Sequence, residues 1–119
     1  MAGEIIPERR KYPRINFNTL VTYQTKGEPK IDYTLTRDIS EGGIGLILEK
    51  FVPKNTELIL TFNLKTGSNF LRAPARVAWI EKLPYAERYR AGLEFRELEP
   101  LNRLNLKRFI KREPLLLYY

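Results

Sequence analysis

Two short segments hold side chains whose types and spacing suit binding chemistry. The first, Glu8-Arg9-Arg10-Lys11-Tyr12-Pro13-Arg14, gathers four cations and sets Arg10 and Arg14 four residues apart. In a helix that spacing would align both guanidiniums. Pro13, however, pushes Tyr12 toward extended geometry and removes a backbone donor, so the segment reads as an arm. The second, Asp38-Ile39-Ser40-Glu41-Gly42-Gly43, places a carboxylate and a hydroxyl two residues apart before a glycine turn. At a strand end, that spacing puts Asp38 and Ser40 on one face. The chain has no His and no Cys, which removes disulfides, thiolate nucleophiles, Ser-His-Asp catalysis and zinc sites built on imidazole or thiolate. Carboxylates, lysines, tyrosines and two serines remain, without a convergent catalytic constellation beyond Asp38 and Ser40. The chain is therefore read as a non-enzyme without cofactor or metal.

Charge reinforces the binding reading. The 119 residues carry 21 Lys and Arg against 14 Asp and Glu, a net +7. Residues 1–14 hold four basic and two acidic side chains, and residues 101–113 hold five basic and one acidic, so the ends carry +2 and +4. The middle is nearly balanced, a scaffold between basic ends. Such an excess suits an anionic partner, such as a nucleic acid, a nucleotide or an acidic lipid.

Short strands must position these groups. Ile15, Phe17, Thr19, Val21 and Tyr23 alternate with polar residues, which predicts one half-buried strand over 15–23. Lys26-Gly27-Glu28-Pro29 is a turn, after which Tyr33, Leu35, Arg37 and Ile39 alternate with Thr34, Thr36 and Asp38. Period two continues through Ile44, Leu46 and Leu48, then through Leu58, Leu60, Phe62 and Leu64. Ala73, Ala75, Val77 and Trp79 share one face of the next strand, with Trp79 expected in the core or on a sheet face, and Pro74 marks an edge or bulge. Tyr89, Ala91, Leu93 and Phe95 complete six strands, the pattern of an antiparallel barrel or sandwich, of which the barrel is preferred. Pro100 opens a helix over 101–112 whose Leu106, Phe109 and Ile110 share a side while Leu101 and Leu104 fall elsewhere. The expected organisation is an arm over 1–14, a barrel with its helix over 15–113, and an apolar tail over 114–119. At 43% apolar and 29% charged the composition fits one folded domain. No apolar run approaches a membrane span and Met1 to Tyr12 holds no signal-type apolar segment, which predicts a soluble, cytoplasmic protein.

The two motifs, in this order, resemble the PilZ domain, the bacterial receptor module for cyclic di-GMP. The family's RxxxR is met by Arg10 and Arg14, and its D/NxSxxG by Asp38, Ser40 and Gly43. Ala75-Arg76-Val77-Ala78-Trp79 and Ala91-Gly92-Leu93-Glu94-Phe95 look like its late strands. The resemblance implies an all-β, six-stranded antiparallel barrel with one C-terminal helix, and non-catalytic binding of cyclic di-GMP. On that reading Arg10 and Arg14 take guanine edges and phosphates through their donor forks. Asp38 accepts from guanine N1–H and N2–H, and Ser40 bonds a phosphate or a guanine group. Gly43 acts through its backbone, by a left-handed turn or close ligand approach. Arg9 stacks on a guanine if two ligand molecules bind as an intercalated pair.

Ligand bridging the arm to the barrel would order the arm and change the surface offered to a downstream protein, in the motility or biofilm setting where related domains act. The tail Leu115–Tyr119 suits folding back, homodimerisation or partner contact. A rival reading, a basic barrel for single-stranded nucleic acid, needs aromatics interleaved with cations on one strand face. Here the aromatics hold the apolar phase and the cations sit at the ends. A ligand-free scaffold is the other alternative, and it requires both motifs to be accidental.

Overall fold

Alternation of apolar and polar side chains drives this chain into strands, and the strands close on themselves. The structure, a computed structural model, describes residues 14–64 and 70–116, the side chains of 112–116 excepted. Its elements are β1 (Ile15–Asn16), β2 (Leu20–Thr25), β3 (Ile31–Ile39), β4 (Gly43–Leu48), β5 (Glu57–Asn63), β6 (Phe70–Lys82), β7 (Tyr89–Phe95) and α1 (Pro100–Leu116). The order β3-β2-β5-β6-β7-β4, with β4 pairing back onto β3, makes a closed six-stranded antiparallel barrel. Each of the six barrel strands thereby has a neighbour on both sides. Inside lie Val21, Ile39, Leu46, Leu48, Leu58, Leu60, Phe62 and Val77, each 1% exposed or less. The predicted turn between β2 and β3 has Gly27 at φ 87°, the left-handed geometry glycine accepts without penalty. Among the described residues, no helix is long and apolar enough to cross a membrane.

Three local departures from simple alternation decide what faces outward. The strand expected over 15–23 is two strands. β1 pairs Asn16 with Asp38, β2 pairs Leu20 with Leu35, and the intervening residues carry one extra position relative to β3. Thr36 bridges the break: its hydroxyl donates to the Phe17 carbonyl and accepts from the Thr19 amide at 2.9 Å. Thr34 and Thr36 therefore occupy the inner face, and Ile31, Tyr33 and Leu35 are more than half exposed. A second irregularity, between Thr36 and Asp38 opposite β4, restores Ile39 to the core. The third lies in β6 between Val77 and Trp79 opposite β7. It turns Trp79 out of the phase of Ala73, Ala75 and Val77, so Trp79 is 38% exposed on the outer wall rather than in the core.

Pro74 stands where β6 starts to meet β7: it registers against Ile59 of β5, pairing with β7 begins at Ala75, and its carbonyl accepts from the Arg96 amide at 2.8 Å. Helix α1 packs through Leu106, Phe109 and Ile110, with the Phe109 ring edge-on to Phe17 at 4.9 Å. Leu101 and Leu104 stay exposed. The helix runs from Pro100 to Leu116, four residues past the end expected at 112.

Candidate ligand site on the outer barrel wall

The departures from alternation assemble a site. Across four strands one row of the outer wall reads Asp38, Gly45, Gly92, Trp79, each residue registered against the next. The two glycines are a floor. The Asp38 carboxylate lies over Gly45, where an added Cβ would come within 2.8 Å of Oδ1, and the Trp79 indole lies over Gly92, where a Cβ would collide with Nε1. A glycine inside a strand commonly marks such a close approach. The resulting cavity, about 260 Å³, is lined by Arg14, Arg37, Asp38, Gly45, Trp79, Arg90 and Ala91.

Its electrostatics are cationic around one buried acceptor. Asp38 Oδ1 is buried without a hydrogen-bond partner among the described residues, and Arg14 Nη1 stands 3.7 Å away. A native protein rarely leaves a buried carboxylate oxygen unbonded, and the exceptions call for a functional explanation. Arg37 has no ion-pair partner among the described residues, whereas Arg90 is held by Glu81, with Nη2 to Oε1 at 2.7 Å. Three guanidiniums thus surround a carboxylate and an indole face. That set can clamp an anion, stack a planar ring and accept from ring N–H groups.

Of the residues expected from sequence, Arg14 and Asp38 meet here. Arg9 and Arg10 lie outside the described residues. Ser40 is 6% exposed and sits in the turn after β3, apart from the cavity lining. Its hydroxyl accepts from the Gly42 and Gly43 amides at 3.1 Å each, and its own amide donates to the Gly43 carbonyl at 2.9 Å. Ser40 thereby fixes the turn joining β3 to β4. Gly43 is needed for closeness, not handedness: its φ is outside the left-handed region, and a Cβ there would collide with the Leu93 carbonyl oxygen.

Arg37, Gly45, Gly92 and Arg90 were not singled out from sequence, where Trp79 reads as a core or sheet-face residue in preference to a stacking platform. The signal for the glycines was present, since Gly45 and Gly92 interrupt strands at phases where side chains belong. Among the described residues no cluster of His, Cys, Asp or Glu could hold a metal ion.

Known proteins share this fold. The family model for the PilZ domain matches residues 8–112. No curated protein matches the chain. Among solved structures, the inhibitor of motility MotI/DgrA of Bacillus subtilis is similar at 25% identity and TM-score 0.78, covering 91% of this chain and 52% of its own. The PilZ domain of YcgR from Escherichia coli, solved with c-di-GMP, is 19% identical with TM-score 0.68, covering 91% of this chain and 98% of its own. The MrkH–c-di-GMP complex of K. pneumonia is 15% identical with TM-score 0.71, covering 95% and 56%. This chain thus spans about half the length of MotI and MrkH. With the family model matching nearly the whole chain and the barrel closed in the same way, the chain belongs to the PilZ domain family.

Proposed function

We propose that this chain is a non-catalytic, cytoplasmic receptor for cyclic di-GMP. The observation that carries the proposal is Asp38 Oδ1, a buried acceptor without a hydrogen-bond donor among the described residues, in a glycine-floored cavity beside Arg14 and Trp79. A guanine supplies what this acceptor lacks, its N1–H and N2–H pair, and leaves O6 and N7 for a guanidinium fork. The cavity, about 260 Å³, falls below the roughly 300–1,000 Å³ of whole-ligand pockets. It suits one base of a larger ligand whose phosphates extend toward the arm.

In this reading Arg14 and Asp38 hold the guanine edge and Trp79 stacks its face. Arg9 and Arg10 reach the phosphates or a second base from the arm. Ser40 and Gly43 keep β3 and β4 in the register that presents Asp38. Two relatives are described with c-di-GMP bound, which supports the ligand class. Docking of the arm on the ligand would alter the surface read by a downstream protein, with motility or biofilm control the setting.

Calorimetric titration with cyclic di-GMP at physiological salt, with GTP as control, tests the proposal. Saturable, selective heat that Arg14→Ala and Asp38→Ala abolish is expected. Arg14→Lys should rescue little, because the ammonium lacks the planar fork. Absence of heat together with an unmoved melting temperature at high ligand concentration would overturn it.

A further inference from the structure

On the first three turns of α1, every exposed position from Leu101 to Lys111 is Leu, Lys or Arg: Leu101, Arg103, Leu104, Lys107, Arg108 and Lys111. At about 100° per residue these six fall within an arc of roughly 160° that excludes the buried Leu106, Phe109 and Ile110. Leu104, 41% exposed, lies inside that arc with cations on either side, and Leu101 is 67% exposed at its margin. The four cations have no ion-pair partner among the described residues, and no acidic residue lies between Pro100 and Lys111.

An ordinary solvated helix face mixes both signs, so that neighbouring turns pair and the field is small. A face built from cations and leucines alone complements a surface that is anionic and apolar at once. We infer that the outer face of α1 is a docking surface for an anionic lipid bilayer. The cations would meet headgroup phosphates, and Leu101 and Leu104 would enter the headgroup–acyl boundary.

A nucleic acid fits less well. The exposed arc offers no aromatic to stack on bases, and it places leucines where phosphates would lie. The residues that follow in sequence, Leu115-Leu116-Leu117-Tyr118-Tyr119, are of the apolar and tyrosyl types that favour membrane interfaces. No α1 residue lines the cavity between Asp38 and Trp79, so this inference is independent of the proposed ligand.

The test is flotation of the unaltered chain with vesicles of phosphatidylcholine alone or with about 30% phosphatidylglycerol. Binding to the anionic vesicles only is expected, and it should fall steeply between about 0.1 and 0.5 M NaCl. Arg108→Gln with Lys111→Gln should weaken partitioning about 25-fold, roughly fivefold per charge removed. Leu104→Ser, at an exposed position, should weaken it severalfold with the melting temperature unchanged. Four results would overturn the inference: no binding to either vesicle, equal binding to both, anionic binding untouched by these variants, or retention by an oligonucleotide without retention by vesicles. The two lipid arms need no variant, so a misfolded mutant leaves the test intact.

Discussion

Substituting Gly45 by alanine separates ligand recognition from folding more cleanly than removing any charged group. The new Cβ would stand 2.8 Å from Asp38 Oδ1 and 3.3 Å from its Cγ, closer than carbon tolerates, while touching no backbone at such range. The far end of the Asp38 side chain must swing aside. The fold loses little, because alanine in a strand offsets strain by roughly 0.5–1 kcal/mol relative to glycine. The ion pair it disturbs, Arg14 Nη1 to Asp38 Oδ1, joins two partly exposed side chains at 3.7 Å, beyond hydrogen-bond range, and its loss costs the fold about 1 kcal/mol. Ligand binding loses the carboxylate's hydrogen bonds to guanine, about 1.5–3 kcal/mol for bonds to a charged group, or roughly 10- to 150-fold in affinity. Calorimetry with cyclic di-GMP reads the affinity and thermal denaturation reads the fold. Gly43→Ala is the contrast: there the added Cβ meets the Leu93 backbone carbonyl, which cannot swing aside. Overpacking of that kind costs about 1–3 kcal/mol of stability. If Gly45→Ala bound with wild-type affinity at wild-type stability, Asp38 would not be the guanine acceptor and the row across the wall would not be the site.

Trp79 is the only tryptophan, so ligand stacking on its face should change intrinsic fluorescence saturably and with the calorimetric midpoint; an unchanged spectrum at saturation would remove Trp79 from the site. Thr36→Val removes the hydroxyl that donates to the Phe17 carbonyl and accepts from the Thr19 amide, and the Thr19 amide loses that acceptor. Urea denaturation should report a loss of about 1–3 kcal/mol, and wild-type stability would show that the bridge contributes nothing. The Lys50 hydrogen bond holds the Asp32 carboxyl below its ordinary range. Its stabilisation is therefore complete above the usual carboxylate pKa and fades as pH falls through the lowered folded value. Lys50→Ala should flatten that acid limb of the stability profile by no more than about 1 kcal/mol, and an identical acid limb would assign the limb to other carboxylates.

Much of the architecture was legible because it rests on local alternation. The six barrel strands, the Gly27 turn and the α1 face carrying Leu106, Phe109 and Ile110 all follow from spacing alone. The helix end did not, since its backbone continues through Pro114 to Leu116. The inward threonines of β3 were illegible because Tyr33 and Leu35 offered the better apolar phase, and only the extra residue between β1 and β2 shows why hydroxyls are needed inside.

Sequence alone determined a six-stranded barrel with one C-terminal helix, and it singled out Arg14 and Asp38, which the fold brings together. Tertiary structure decided which face those groups share and who joins them. Trp79 reaches Asp38's row only because β6 slips its register against β7, and Gly45 and Gly92 become a floor only when β4 and β7 pair them. Register between distant strands depends on the whole ring of contacts at once, whereas alternation depends on neighbours along the chain. The first is decided on closure of the barrel, the second residue by residue.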